Sequence, residues 1–359
     1  MRTEVRAARA HHRDNRDRAP LARTAGSRDG KGVGAMVHAV RVHRTGGPEV
    51  LSYEDVTVPA PGPGEVQIRH TAIGLNFIDV YFRTGLYKAA ALPFVPGNEG
   101  AGEVVAVGSG VSGFHEGDRV AYAMSTGSYC ELRNVPAAVL VHVPAAIDDR
   151  TAAAMMLKGM TAQYLVRRTH VLKPGDVILV QAAAGGVGLI LCQWAKHIGA
   201  TVIGTVGSKD KAELALAHGC DHVILYRDED FVHKVKEITS GKLCDVVYDG
   251  VGQATYPASL DCLRPLGLWV SFGNASGAIK NFDLLELSKR GSLYATRPTL
   301  ATFVAKREEL VATANDLFEV VLDGAVKIPI HQTYALKDVQ QAHKDLESRK
   351  TTGSTLLLP

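Results

Sequence analysis

The stretch from Asp176 to Ser208 limits the possible folds more than any other part of this 359-residue chain. Val177 to Val180 is a short apolar, β-branched run, the pattern of a parallel strand buried on both faces. It leads into Ala183-Ala184-Gly185-Gly186-Val187-Gly188, a turn of small residues. Beyond the turn, Val187, Ile190, Leu191, Trp194, Ala195 and Ile198 recur at helical spacing, so one face of the predicted helix is apolar. Gly199 stands where a C-terminal glycine would end that helix, and Thr201 to Val206 reads as a second strand. Strand, glycine turn, helix and strand make a βαβ unit of the dinucleotide-binding kind. Gly185 and Gly186 let a pyrophosphate approach the N–H groups at the helix start, and Gly188 allows close packing of helix on sheet. Ala183 replaces the usual first glycine, so the flanking periodicity carries the assignment.

The end of the second strand selects the dinucleotide. NAD-binding units place an Asp or Glu there to hold the ribose 2′-hydroxyl. Here the chain reads Val206-Gly207-Ser208-Lys209-Asp210-Lys211, with no acid at the strand end. Lys209 and Lys211, which follow Ser208, suit a 2′-phosphate instead, and the expected cofactor is NADP(H).

Composition excludes several classes. No run of 18 apolar residues exists, so no transmembrane helix is expected. The five cysteines, at 130, 192, 220, 244 and 262, form no C-x-x-C pair and several fall in predicted buried elements, which points to a reduced, cytoplasmic protein. Residues 1–35 hold nine Lys and Arg against four Asp and Glu, whereas the other 324 residues hold 31 against 33. The folded body therefore has no basic excess to attract nucleic acid. The tail lacks apolar periodicity and is expected to be disordered, with the native start at or near Met36.

The rest of the chain divides by pattern. From Val37, Ala39 to His43, Leu51 to Val58, Glu65 to Ile73, Glu103 to Val107, Arg119 to Ala123 and Tyr129 to Val135 read as strands between Gly- and Pro-rich turns, predicting a β-rich, barrel-like domain. Thr151 to Val166 reads as a helix. After the βαβ unit come helix Lys211–His218, strand Val223–Tyr226, helix Phe231–Thr239, strand Asp245–Tyr248, helix Tyr256–Leu263, strand Leu268–Phe272, helix Leu284–Lys289 and strand Ser292–Thr296. This alternation predicts an α/β fold with a doubly wound parallel Rossmann sheet. Thr302 to Leu322 reads as one long amphipathic helix, and the segment from Ile330 to Leu358 as strand, helix and strand returning to the first domain. The expected organisation is a tail at 1–35, a β-rich catalytic domain at 36–160, an NADP-binding domain at 161–297 and a C-terminal return at 298–359.

Six motifs carry a family resemblance: Gly46-Gly47-Pro48-Glu49-Val50-Leu51, Asn76-Phe77-Ile78-Asp79, Pro96-Gly97-Asn98-Glu99, Ala182 to Gly188, Val270-Ser271-Phe272-Gly273-Asn274 and Thr296-Arg297-Pro298. With them the chain resembles the zinc-free, zeta-crystallin-like quinone oxidoreductases of the medium-chain dehydrogenase/reductase superfamily, most nearly the bacterial ones. The resemblance covers Met36 to Pro359. It implies a GroES-like catalytic domain beside the Rossmann domain, a cleft between them, a homodimer, and NADPH-dependent reduction of a quinone. It places Asn76, Tyr81 and Tyr87 beside the nicotinamide as catalytic candidates, and Thr161 near its amide. It assigns Ser208, Lys211 and Tyr226 to the adenosine end, Val251 and Phe272-Gly273-Asn274 to the crevice mouth, and Arg349 to a reach across to the cofactor. Asn76 has a plainer reading as the cap of a helix starting at Phe77. Zinc dehydrogenases carry Gly-His-Glu where this chain has Gly97-Asn98-Glu99; asparagine is a poor zinc ligand, so no metal is expected. The sequence offers no convincing general acid. A conjugated enone or alkenal is the alternative substrate. A non-catalytic NADPH-binding role, crystallin-like or RNA-binding, is the alternative of another class.

Overall fold

The structure is a computed structural model that describes residues 34–359. The tail's expected disorder therefore lies outside the described residues. Residues 34–359 form one compact unit built on two larger sheets and a hairpin. The hairpin pairs β1 (Ala35–Val42) with β2 (Leu51–Val58), antiparallel from Ala35↔Val58 to Val42↔Leu51. The first large sheet is drawn from both ends of the chain. It uses β3 (Glu65–Leu75), β4 (Glu99–Val107), β5 (Arg119–Ala123), β6 (Leu132–Pro136) and β7 (Val141–His142). Helix α1 (Phe77–Thr84) follows β3, and α2 (Asp149–Tyr164) follows β7.

The second sheet is parallel: β8 (Val177–Val180), β9 (Thr201–Val206), β10 (His222–Leu225), β11 (Cys244–Asp249), β12 (Leu263–Ser271) and β13 (Tyr294–Thr296), in the spatial order β10-β9-β8-β11-β12-β13. Helices α3 (Gly186–Ile198), α4 (Lys209–Ala217), α5 (Phe231–Ile238) and α6 (Leu285–Lys289) lie along the connections. The order reverses between β8 and β11, and ligands in open α/β sheets bind outside the strand ends at such a switch. The chain closes with α7 (Leu300–Phe303), α8 (Arg307–Leu322), β14 (Ile330–Ala335), α9 (Val339–Glu347) and β15 (Ser354–Leu358). β15 inserts between β14 and β3, so the C-terminus returns to the first sheet as the sequence suggests.

Two expectations fail. No α-helix covers Tyr256–Leu263; a turn leads to a single 3₁₀ segment at Ala258–Cys262 and then directly into β12, which begins at Leu263. The segment ends after five residues because Leu263 is already extended, at φ −94° and ψ 137°, as the first residue of β12. The long helix from Thr302 to Leu322 is two helices, α7 and α8, broken at Val304–Lys306. The Arg168 guanidinium donates to the Phe303 carbonyl (3.1 Å) at the break. The helical periodicity is real on both sides, but periodicity alone does not report a break of a few residues.

Helix α2 joins the two sheets. It packs on β3, β4 and β5 and also on α3, and it crosses the point between 160 and 161 where sequence patterning divides the chain. Ala152–Met156, Met160 and Ala162 are buried in one continuous core with Ile178, Val180, Ile190, Leu191 and Trp194. Burial of side chains such as Ile190 and Leu191 stabilises by about 1.5–3 kcal/mol each. This shared core fixes the second sheet against α2.

Candidate active site

A cleft of about 970 Å³ runs along the carboxyl ends of the parallel strands and under α1 and α2. Strand order sets the sequence of its walls. Ser208 follows β9 and Tyr226 follows β10 at one end; the turn at 185–188 follows β8 in the middle; Val251 and Phe272-Gly273-Asn274 follow β11 and β12; Arg297 follows β13 at the far end. Asn76, Tyr81, Tyr87, Thr161, Lys211 and Arg349 also line it. Every site residue expected from sequence thus borders one cavity.

The middle wall is the turn into α3. Gly185 is the N-cap residue and Gly199 ends the helix at φ 101°. The first turn of α3 leaves backbone N–H groups without helical acceptors. A Cβ on Gly188 would lie 2.5 Å from the Ala182 carbonyl oxygen and 2.6 Å from that of Ala183. The close approach at Gly188 is thus to the turn carbonyls. A Cβ on Gly186 would lie 2.8 Å from Lys158 Cδ. The residue with left-handed backbone is Ala182, at φ 58°, an uncommon conformation for a residue with a Cβ.

At the β9–β10 end, cations gather, and among the described residues no carboxylate lines the cleft wall. Lys211 Nζ donates to the carbonyls of Arg349 (2.7 Å) and Thr351 (3.3 Å), and Arg349 Nη1 donates to Tyr226 Oη (3.4 Å). Burial lowers the Lys211 pKa, and the charges of Arg227 and Arg349 lower it further. Arg227 lines this end as well and carries no signal in the sequence beyond its charge.

At the other end, α1 begins at Phe77 with Asn76 at the N-cap, so the capping position and the cleft position are the same residue. The Asn76 side-chain amide donates to Glu99 Oε1 (2.8 Å), and its backbone N–H donates to Asp79 Oδ2 (2.9 Å). Glu99 is fully buried and also pairs with the Lys158 ammonium; its Oε2 accepts the Leu157 N–H (2.6 Å). Lys158 lines the cleft one helical turn before Thr161. Sequence reading missed this pair, because Glu99 and Lys158 are far apart in the chain and only the packing of α2 on β4 brings them together. Tyr81 Oη accepts the Asn274 N–H (2.9 Å), and burial raises the Tyr81 pKa to about 12. Tyr87 packs edge-on to Tyr81 with ring centroids 5.2 Å apart, and its hydroxyl accepts from Arg297 Nη2 (3.1 Å).

Behind Asn76 lies a buried polar chain. Asp79 accepts from the Asn98 amide (2.8 Å) and the Tyr129 hydroxyl (2.9 Å), and burial raises its pKa to about 6. Arg83 Nη1 stands 2.9 Å from His343 Nδ1, and His343 Nε2 is 3.1 Å from Tyr129 Oη. Arginine only donates, so Nδ1 is the acceptor and Nε2–H donates to Tyr129, whose proton points to Asp79. Burial holds the His343 pKa down near 3, which keeps the ring neutral, as this arrangement requires.

A zinc ion needs several protein donors around an open position. Here the Glu99 carboxylate is occupied by an ammonium and two N–H donors, and the Asn98 amide donates to Asp79 while accepting from Thr126 (3.0 Å). No group of three His, Cys, Asp or Glu suited to a metal occurs among the described residues. The residues at this position do not fit zinc.

Known proteins agree with the architecture. Residues 62–174 match the alcohol dehydrogenase GroES-like domain, and residues 186–315 match the zinc-binding dehydrogenase family. A GroES-like unit joined to a dinucleotide-type sheet, with a cleft at the junction, defines the medium-chain dehydrogenase/reductase class. The chain is 52% identical to a quinone oxidoreductase of Pseudomonas aeruginosa over 325 residues, 90% of this chain and 100% of that protein. The crystal structure of Escherichia coli quinone oxidoreductase complexed with NADPH superposes with a TM-score of 0.88 at 50% identity, covering 90% of this chain and 100% of that one. A 2-haloacrylate reductase of a Burkholderia species is 45% identical over 331 residues, 90% of this chain and 99% of that protein. The chain belongs to the quinone oxidoreductase family. Among the described residues no helix is long and apolar enough to cross a membrane.

Proposed function

We infer that the protein is a metal-free, NADPH-dependent quinone reductase. The observation that carries this reading is the cleft itself, which joins a carboxylate-free cationic end to a tyrosine-lined end across a helix N-terminus. The NADPH named with the Escherichia coli relative supports the cofactor. Gly185, Gly186, Val187 and Gly188 would hold the pyrophosphate through the first-turn N–H groups of α3. Ser208, Lys211, Tyr226 and Arg349, joined by Arg227, would hold the 2′-phosphate and its ribose. Thr161, Val251, Phe272, Gly273 and Asn274 would border the nicotinamide.

When bound, NADPH supplies a hydride to the acceptor. The chain's own residues position that acceptor and exclude water. Tyr81 is locked by the Asn274 N–H and Tyr87 by Arg297, so both rings are preorganised walls. Asn76 presents an amide whose orientation is set by Glu99. A quinone is readily reduced, so it needs little polarisation by the protein, and each turnover takes one proton to give the hydroquinone and NADP⁺. The 2-haloacrylate reductase relative favours a second reading, reduction of a conjugated C=C bond by the same groups.

The β13 edge supports a homodimer: among the described residues it has no partner on one side, and Leu266, Leu284, Leu285 and Tyr294 are exposed. The five cysteines, all buried and all unpaired, support a reducing, cytoplasmic setting. The test is NADPH oxidation by the purified protein with a simple para-quinone and a conjugated enone side by side, and NADH as control. Turnover of the quinone with NADPH and little with NADH is expected. Turnover of the enone alone would transfer the function to the second reading. Tight NADPH binding without turnover of either acceptor would overturn both.

A further inference from the structure

Among the cations of the cleft wall, Lys158 is the one that a buried carboxylate holds in place. Lys211, Arg227 and Arg349 stand at the β9–β10 end, assigned above to the 2′-phosphate. Arg297 follows β13 and holds Tyr87. Lys158 comes from α2. Its stem runs past the glycine turn, since a Cβ on Gly186 would lie 2.8 Å from Lys158 Cδ and 2.9 Å from its Cε. Its ammonium ends on Glu99 Oε1, the same oxygen that accepts from the Asn76 amide (2.8 Å). The charge is thus delivered beside Asn76, at the tyrosine-lined end of the cleft.

Lys158 is 5% exposed and still borders the cleft. An ammonium carries three N–H donors. Glu99 takes one, and among the described residues no other protein acceptor meets Nζ. Its neighbours do not offer the same chemistry. Asn76 Nδ2 donates to Glu99 Oε1 and to the Gly74 carbonyl (3.4 Å), so its donors face the protein. Tyr81 offers a neutral hydroxyl, with its pKa pushed up to about 12 by burial. Hydride transfer to a quinone leaves negative charge on an acceptor oxygen until a proton arrives. In a cleft that excludes water, a preorganised positive donor stabilises that charge more than it stabilises the neutral acceptor.

We propose that Lys158 is a further catalytic residue: its remaining N–H donors meet the acceptor oxygen on which negative charge develops, and Glu99 holds the ammonium there. This rests on reading the cleft as a reductase site. The reaction balances: the quinone gains a hydride from NADPH and one proton from water, and the products are the hydroquinone and NADP⁺. The ammonium donates hydrogen bonds and keeps its own protons.

The test compares Lys158→Met with the double variant Lys158→Met/Glu99→Gln, in full-length protein saturated with NADPH. Both are assayed where the buried Trp194 and Trp269 report a folded protein. The single variant strands a carboxylate, and the double variant removes that charge. A lysine that serves only to neutralise Glu99 is dispensable once residue 99 is neutral; a catalytic ammonium is not. With para-benzoquinone, kcat should fall by roughly 100-fold in both variants, the worth of one oxyanion donor, while NADPH affinity changes by less than about 3-fold. The loss should grow with the tetramethyl derivative, a poorer electron acceptor that leaves more of the work to the protein. Recovery of wild-type kcat in the double variant would overturn the proposal. So would a loss confined to NADPH affinity, which marks Lys158 as a cofactor ligand. Either result, with a wild-type protein that turns over the quinone, defeats this inference alone. Absence of NADPH oxidation by wild type with every acceptor defeats the reductase reading and this inference with it.

Discussion

Replacing Lys158 by Met should unfold the protein at lower denaturant without altering its surface. The Lys158 side chain is 6% exposed and that of Glu99 is 0% exposed, so the variant would leave a carboxylate in the core facing only the Asn76 amide and the Leu157 N–H. Removing one partner of a buried ion pair costs about 3–5 kcal/mol. For a folded body of residues 34–359, unfolding entropy is about 0.7 kcal/mol/K, which converts the loss to a Tm lower by about 4–7 °C. Met nearly conserves volume, so little of the loss comes from a cavity. The double variant Lys158→Met/Glu99→Gln should recover about 2 kcal/mol, because a neutral amide at 99 still accepts one of the two N–H groups. The assay is urea unfolding of cofactor-free protein followed by tryptophan fluorescence; Trp194 and Trp269 are both buried, on α3 and β12. A single variant that loses under about 1 kcal/mol, or a double variant that shows no coupling, would refute the claim that this is a buried, coupled ion pair.

Four further outcomes follow from the same structure. Asp79 has a folded pKa near 6 against 3.8 in the unfolded chain, so its contribution to stability is complete below pH 3.8 and is lost as pH rises through 6, by about 3 kcal/mol; unfolding free energies of wild type and Asp79→Asn that run parallel from pH 4 to 7 would contradict this. Gly188→Ala should destabilise by about 1–3 kcal/mol, since its Cβ meets two backbone oxygens at 2.5 and 2.6 Å, whereas Gly185→Ala, with one contact at 3.2 Å, should cost less than half as much in the same denaturation experiment. Lys211→Ala should weaken NADPH binding by about 10-fold or more while changing NADH binding by less than about 3-fold, measured by nicotinamide fluorescence titration; equal losses for both cofactors would remove the phosphate assignment. Purified, unchelated protein should contain well under one zinc per chain by elemental analysis, because the Asn98 amide is already bonded to Asp79 and the Glu99 carboxylate to Asn76 and Lys158.

Much of the cofactor half is legible before folding is considered. The limits of β8 and β9 agree with the residue pattern, and α3 ends at Gly199 as its glycine suggests. These elements are encoded locally: a β-branched run, a 3.6-residue apolar period and a helix-ending glycine act within a few residues of one another. The same local rules misread Tyr256–Leu263, where entry into β12 at Leu263 overrides helical spacing, and merge α7 with α8. Expectations for site residues that came from family motifs all reach the cleft wall. Periodicity alone would have found the glycine turn and the end of β9, but not Asn76 or Tyr87.

The order of β10, β9, β8, β11, β12 and β13 is a property of the sheet, and it alone separates the cation cluster near Lys211 from Arg297. The partnership of Lys158 with Glu99, and the chain from Arg83 through His343 and Tyr129 to Asp79, join residues tens to hundreds of positions apart. Charge and hydrogen-bond partners depend on distance in space and on exclusion of water, and neither exists until α2 and α9 have packed. The sequence by itself determined the βαβ unit, its glycine cradle and the absence of an acid at the end of β9, because each is a contiguous pattern. Only the tertiary structure decided which cations are neutralised and which face the cleft.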